Sequence, residues 1–177
     1  MKLVILDRDG TINHDSDEHI KSPEEWRPIK GSLEGIARLT QAGYRIVVAT
    51  NQSGIARGLF DTRTLLAIHD TLLRALALAG GRIDAFFFCP HAAEAGCQCR
   101  KPQPGMLLEV ARRFNVSLDD TYMVGDALRD LEAAAAAGAR PVLVLTGKGT
   151  KTRDEGKLPP GTRVFADLAA FAEHLTP

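Results

Sequence analysis

Short apolar runs that end on polar residues alternate along this chain with stretches of helical spacing, and no other feature restricts the fold as much. Lys2–Leu6 is rich in β-formers and stops at Asp7, and Tyr44–Ala49 repeats the form before Thr50 and Asn51. Further strand candidates are Ala85–Phe88, Thr121–Val124, Val142–Leu145 and Arg163–Phe165. Helical spacing fills the intervals at Leu33–Gln41, Arg63–Ala79, Gly105–Phe114, Leu128–Ala137 and Leu168–Leu175. Such alternation predicts an α/β fold with an open, mostly parallel sheet and helices on both faces. The apolar runs are continuous rather than alternating, as strands buried on both faces require. With 177 residues and 45% hydrophobic content, one core and a single domain over residues 1–177 are expected.

Twenty-two basic and twenty-two acidic side chains cancel, so no global field favours nucleic acid or an anionic membrane, and an anionic ligand needs a local site. No apolar run approaches the length of a membrane span, and Asp7, Arg8 and Asp9 interrupt the first one too early for a signal-peptide core. Three cysteines within residues 89–99 do not resemble a secreted disulfide scaffold, so a reducing, cytoplasmic setting and a monomer are expected. Asn13–Lys30 is polar, carries Pro23 and Pro28, and reads as a flap over the first strand. Gly147–Pro160, rich in Lys, Gly and Pro, reads as a mobile surface loop.

In an open α/β sheet ligands bind beyond the carboxyl ends of the strands, which makes Asp7, Thr50, Cys89 and Asp126 the residues to collect. Asp7 and Asp9, two apart at a strand end, point toward the same side, and their mutual repulsion calls for a cation. A divalent metal with oxygen ligands answers it. Asp126 supplies a third carboxylate, and Asp130, one helical turn on, supports the metal or its waters. Thr50 and Asn51 offer a hydroxyl and an amide, and Lys101 a fixed positive charge, as a transferring phosphoryl group requires. The chain contains neither a Walker-type lysine loop nor a Gly-x-Gly-x-x-Gly fingerprint, which disfavours nucleotide-driven and dinucleotide-dependent chemistry.

Cys89, His91, Cys97 and Cys99 place four zinc-competent donors within eleven residues and include every cysteine of the chain. A Cys₃His set is closed and tetrahedral, so the expected zinc shapes a loop and takes no part in the reaction.

Asp7-x-Asp9-Gly10-Thr11, Thr50-Asn51, Lys101-Pro102 and Gly125-Asp126-x-x-x-Asp130 resemble the four ordered motifs of the haloacid dehalogenase superfamily of phosphatases. The resemblance implies a Rossmann-like core with a minimal cap and a Mg²⁺-dependent phosphoric monoester hydrolase that works through an aspartyl phosphate. It further implies Asp7 as nucleophile, Asp9 as general acid and then base, and magnesium held by Asp7, the Asp9 carbonyl and Asp126. The zinc loop before Arg100-Lys101-Pro102 is similar to two branches, the heptose bisphosphate and the histidinol-phosphate phosphatases. Asn51–Gly58 and Lys101–Met106 resemble the D-glycero-D-manno-heptose 1,7-bisphosphate branch, which removes the C7 phosphate in lipopolysaccharide precursor synthesis. Ala127 departs from it, standing where many members carry lysine, and the interval from His91 to Cys97 is short, as in the histidinol-phosphate branch. Arg57, Arg100 and the flap cations Lys21, Arg27 and Lys30 favour a second phosphate on the substrate, a phosphorylated sugar, over an ammonium. A zinc-stabilised binding module without catalysis is the reading from another class, and the Asp7–Asp9 pair argues against it.

Overall fold

The computed structural model describes all residues, Met1–Pro177. Six strands form one parallel sheet: β1 (Leu3–Leu6), β2 (Arg45–Asn51), β3 (Ala85–Cys89), β4 (Tyr122–Gly125), β5 (Arg140–Val144) and β6 (Arg163–Phe165). Their spatial order is β3-β2-β1-β4-β5-β6. The chain therefore reverses its direction of winding between β1 and β4, and a crevice opens at their carboxyl ends. Register places Leu6 of β1 opposite Val48 of β2 and Val124 of β4, so Asp7 emerges at the centre of that edge.

The helices are α1 (Ser32–Gln41), α2 (Thr62–Leu78), α3 (Gly105–Phe114), α4 (Leu128–Ala137), α5 (Gly149–Asp154) and α6 (Leu168–Leu175). Side chains alternate across the sheet, and the two faces bury separate sets. Val4, Leu6, Ile46 and Val48 pack with Ile36 and Leu39 of α1, Ile68 and Leu72 of α2, and Phe171 of α6. Leu3, Ile5, Val47 and Ala49 pack with Leu107 and Val110 of α3 and Ala133 and Ala134 of α4. The alanine run of α4 thus lets that helix lie close to the sheet. Asp61 and Asp167 cap α2 and α6 by accepting from the N–H groups of Thr64 and Ala170, each at 2.8 Å. No helix is long and apolar enough to cross a membrane.

Two segments differ from the sequence reading. The expected surface loop Gly147–Pro160 contains α5, whose buried positions are Gly149 and Thr152. Those residues contact backbone, not an apolar core, so the helix carries no hydrophobic period. The flap is not wholly polar in its packing. Ile20 and Trp26 reach into the core, Pro23–Glu25 forms a 3-10 turn, and bridges pair Asn13 with Asp9 and Pro28.

Candidate active site

Asp7 leaves β1 directly below the crevice, and Lys101 rises from the loop before α3 to meet it. The Lys101 ammonium lies 2.9 Å from Asp7 Oδ1 and 2.7 Å from Asp130 Oδ1, and it donates to the Ala49 carbonyl at 2.8 Å. Its side chain and that of Asp130 are fully buried. Asp130 Oδ2 accepts from the Ala127 N–H at 3.0 Å, which caps α4, whereas Oδ1 is paired with the Lys101 ammonium. The lysine is held from behind as well: Asn51 Oδ1 accepts from the Lys101 N–H, and Asn51 Nδ2 donates to the Lys101 carbonyl, both at 3.0 Å. Asn51, expected to offer its amide to a ligand, is therefore engaged chiefly in fixing the lysine, and one amide hydrogen remains. Thr50 is buried and accepts from Gln52 Nε2 at 2.9 Å.

Asp126 follows β4 and comes to Asp7 and Asp130 with all three carboxylate oxygens within 4.8 Å of one another. Gly10 and Gly147, both at positive φ, let the Asp126 carboxylate nest where a Cβ from either would collide with it. The Lys148 N–H donates to Asp126 Oδ2 and the Thr152 hydroxyl to its carbonyl, both at 2.8 Å. The overlooked α5 segment thus belongs to the site. Burial first, then repulsion from Asp7 and Asp130, pushes the Asp126 carboxyl up to about 8. Burial, then Asp130, pushes Asp7 up to about 6 against the opposing pull of Lys101 and Arg129. Three converging carboxylates, the carboxyls of Asp7 and Asp126 resisting ionisation, form a donor set short of positive charge. A hard divalent cation with oxygen ligands fits it.

Asp9 has the opposite surroundings. Arg8, fully buried, grips it with Nε to Oδ1 at 2.8 Å and Nη2 to Oδ2 at 3.1 Å. Asn13 Nδ2 and Gln52 Nε2 add donors at 3.0 and 3.1 Å. Burial alone would raise the Asp9 carboxyl, but these partners, Arg8 foremost, outweigh it and hold the group below the usual carboxylate range.

Above these groups lies a cavity of about 200 Å³ with no hydrophobic lining. Asp7, Asp9, Thr50, Asn51 and Arg100 open onto it, as the sequence suggested. Arg129 and Lys148 also line it, as do Asp15, Ser16, Asp17 and His19 of the flap, none of which sequence reasoning singled out. Arg57 lies on an exposed turn outside it. The flap cations are likewise turned to other tasks, Lys21 pairing with Glu25 at 3.5 Å and Arg27 donating to the Glu24 and Trp26 carbonyls. Arg129 had a signal in the sequence: it shares the first turn of α4 with Asp130, and its Nε is buried without a partner.

The second cluster closes around Cys89. Its Sγ lies 3.2 Å from Cys99 Sγ, 3.7 Å from Cys97 Sγ and 3.4 Å from His91 Nδ1, and Cys99 Sγ lies 3.3 Å from the same nitrogen. A tetrahedron with metal–sulfur bonds of about 2.3 Å has edges of about 3.8 Å, so the four donors approach a zinc shell. Burial, then its contact with Cys99, pushes the Cys89 thiol up to about 12. Arg100 Nη1 donates to the His91 carbonyl at 3.3 Å, which ties this loop to the cavity.

Comparison with known proteins agrees with this geometry. The HAD-hydrolase-like family profile matches residues 98–171. D-glycero-beta-D-manno-heptose-1,7-bisphosphate 7-phosphatase of Bordetella bronchiseptica is 62% identical over 99% of this chain and 98% of its own. The enzyme of that name from Pseudomonas aeruginosa is 52% identical over 98% and 97%. The crystal structure of the B. bronchiseptica D,D-heptose 1,7-bisphosphate phosphatase, complexed with magnesium and phosphate, superposes with a TM-score of 0.98 over 99% of this chain and 98% of that one. An L-2-haloacid dehalogenase, at 18% identity and a TM-score of 0.56 over 85% of this chain and 57% of its own, shares the fold. By its motifs, its sheet order and these relatives, the chain belongs to the D-glycero-beta-D-manno-heptose-1,7-bisphosphate 7-phosphatase family of HAD-like hydrolases.

Proposed function

We propose that residues 1–177 act as one catalytic unit that hydrolyses the C7 phosphate of D-glycero-D-manno-heptose 1,7-bisphosphate, in lipopolysaccharide precursor synthesis. The observation that carries this reading is a buried carboxylate, Asp7, paired to Lys101 beneath an all-polar cavity lined by Arg100, Arg129 and Lys148. A carboxylate oxygen of Asp7 attacks phosphorus, an aspartyl phosphate forms, and the bond to the sugar oxygen breaks. Asp9 gives its proton to that oxygen. It then takes a proton from the entering water, whose oxygen attacks phosphorus and returns Asp7 as a carboxylate with inorganic phosphate. Asp7, the Asp9 carbonyl and Asp126 would hold a magnesium ion, which would supply positive charge to the transferring phosphoryl group. Arg8, Asn13 and Gln52 favour the ionised form of Asp9, which suits the second step. The arriving phosphate dianion works against them by adding negative charge beside Asp9, which suits the first.

Arg100 and Arg129 suit the phosphate that stays on the sugar. Arg100→Ala is expected to raise the KM for the bisphosphate about tenfold or more, the scale of one lost charge-assisted hydrogen bond. For p-nitrophenyl phosphate, which has no second phosphate, the change should stay under about threefold. The decisive panel measures phosphate release from heptose 1,7-bisphosphate, histidinol phosphate and p-nitrophenyl phosphate. Faster hydrolysis of histidinol phosphate than of the heptose, or equal Arg100→Ala losses on both phosphate types, overturns the substrate assignment.

The Cys89, His91, Cys97 and Cys99 set holds one zinc, in a reducing compartment where no disulfide competes for the sulfurs. Elemental analysis of protein purified without chelator should give about one zinc per chain. Chelation should lower the melting temperature and loosen residues 89–99. Activity should fall about tenfold or more, because Arg100 and Lys101 then lose their placement. Protein without zinc and with full activity would remove this assignment.

A further inference from the structure

Arg8 lies between the two aspartates of the first motif, and the alternation of side chains turns it away from the cavity. Two of its three guanidinium nitrogens hold Asp9, and the third, Nη1, meets His69 Nε2 of α2 at 3.2 Å. Arg8 is fully buried, and His69 is 3% exposed. A guanidinium only donates, so Nε2 accepts and the imidazole carries its proton on Nδ1. The ring is fixed in turn, stacked on Phe86 of β3 with centroids 4.1 Å apart and planes 13° from parallel. Burial, then the Arg8 charge, against the weaker pull of Asp9, pushes the His69 pKa down to about 3, so the ring stays a neutral acceptor.

We propose that His69 is a positioning residue for the proton-transfer step: by accepting from Arg8 Nη1 it fixes the plane of the guanidinium, and thereby the carboxylate of Asp9. The inference rests on the reading of Asp9 as general acid and base. Three elements meet in this chain, α2 through His69, β3 through Phe86, and the loop after β1 through Arg8 and Asp9. Rotation of the guanidinium out of plane would loosen both of its contacts with Asp9 at once.

The test exploits leaving-group quality. A sugar alkoxide needs protonation to depart, and p-nitrophenolate does not. His69→Phe keeps a ring to stack on Phe86 and removes the acceptor. Its single-turnover rate of leaving-group release should fall about tenfold or more on heptose 1,7-bisphosphate, with KM within about twofold, and stay within about threefold on p-nitrophenyl phosphate, whereas hydrolysis of the aspartyl phosphate, which Asp9 serves as base, slows alike on both. His69→Gln, which restores an acceptor, should recover most of the heptose rate. In an Asp9→Asn background His69→Phe should cost nothing further, because both changes remove one function. Should the phenylalanine variant fail to fold, His69→Asn, whose acceptor is set back from Nη1, should show the same selective loss. Equal losses in the rate of leaving-group release by a folded His69 variant on both substrates, or additive losses with Asp9→Asn, overturn the proposal. Asp9→Asn alone separates the two claims. If its leaving-group release shows no preference for the good leaving group, the reading of Asp9 fails and the inference with it; if it does and His69→Phe does not, only the inference fails.

Discussion

Asp7→Asn is expected to lower turnover by at least about a thousandfold while leaving the fold intact, since it removes the attacking oxyanion and almost no volume. Stability should move the other way. Asp7 is pushed up to about 6 in the folded protein from an ordinary 3.8, so ionising it costs the native state on the order of a few kcal/mol. The sign follows from proton counting: between those two values the folded chain binds more protons than the unfolded one, so stability falls as pH rises. The cost is absent below about pH 4 and complete above about pH 6. Metal-free Asp7→Asn, which never ionises there, should therefore melt above the parent at pH 7.5 and close to it at pH 4. Melting curves at the two pH values check the electrostatics, and a phosphate-release assay checks the chemistry. Residual turnover above about a thousandth of the parent rate would refute covalent catalysis by Asp7.

Lys101→Met should be damaging on both counts. The ammonium is the one cation within 4 Å of Asp7 and Asp130, and its removal leaves two buried carboxylates facing each other. Breaking a buried pair in this way costs about 3–5 kcal/mol, relieved in part when one carboxyl takes up a proton. Asp7, already raised, would retain its proton to higher pH and would no longer attack at neutrality. Turnover should fall by about a hundredfold or more, with the surviving activity rising toward alkaline pH. Lys101→Arg should recover little, since the pocket closes on a single nitrogen among Asp7, Asp130 and the Ala49 carbonyl. An unchanged melting temperature in Lys101→Met would mean that the ammonium does not balance these carboxylates.

The sheet was largely legible because parallel strands buried on both faces write themselves as unbroken apolar runs. All six expected strands are present, though β2 continues to Asn51 and β5 begins at Arg140. Helix α5 was hidden because Gly149 and Thr152 bury against backbone and leave no apolar stripe to read. In the site, the strand-end carboxylates and Lys101 stood out by position. Arg129 and Lys148 did not, because what distinguishes a cavity cation from a solvated one is where distant loops bring it. Lys21, Arg27 and Arg57 show the converse, cations near the motifs in sequence that do not face the cavity. Arg8 was visible but passed over as the variable letter of a motif, although a charged residue at the end of a buried run has nowhere to go except inward. His69 gave no signal of its own, since its role exists only through α2 packing beside β3.

The flap is pinched at its base. Asn13 bridges Asp9 and Pro28, the His14 N–H donates to the Arg27 carbonyl, and the Ile29 N–H donates to the Ile12 carbonyl, both at 2.9 Å. Chain entering and leaving the loop is thus fastened together just beyond Asp7 and Asp9, while Ile20 and Trp26 anchor its far arm in the core. Between these fastenings only 15–19 is left to face an incoming molecule. The strand-end carboxylates thus sit below the stem, and a short cassette that lines the cavity sits above it. Exchange or lengthening of that cassette leaves the stem's hydrogen bonds and the sheet untouched, so selectivity can drift among descendants of such a chain while the reaction itself stays fixed.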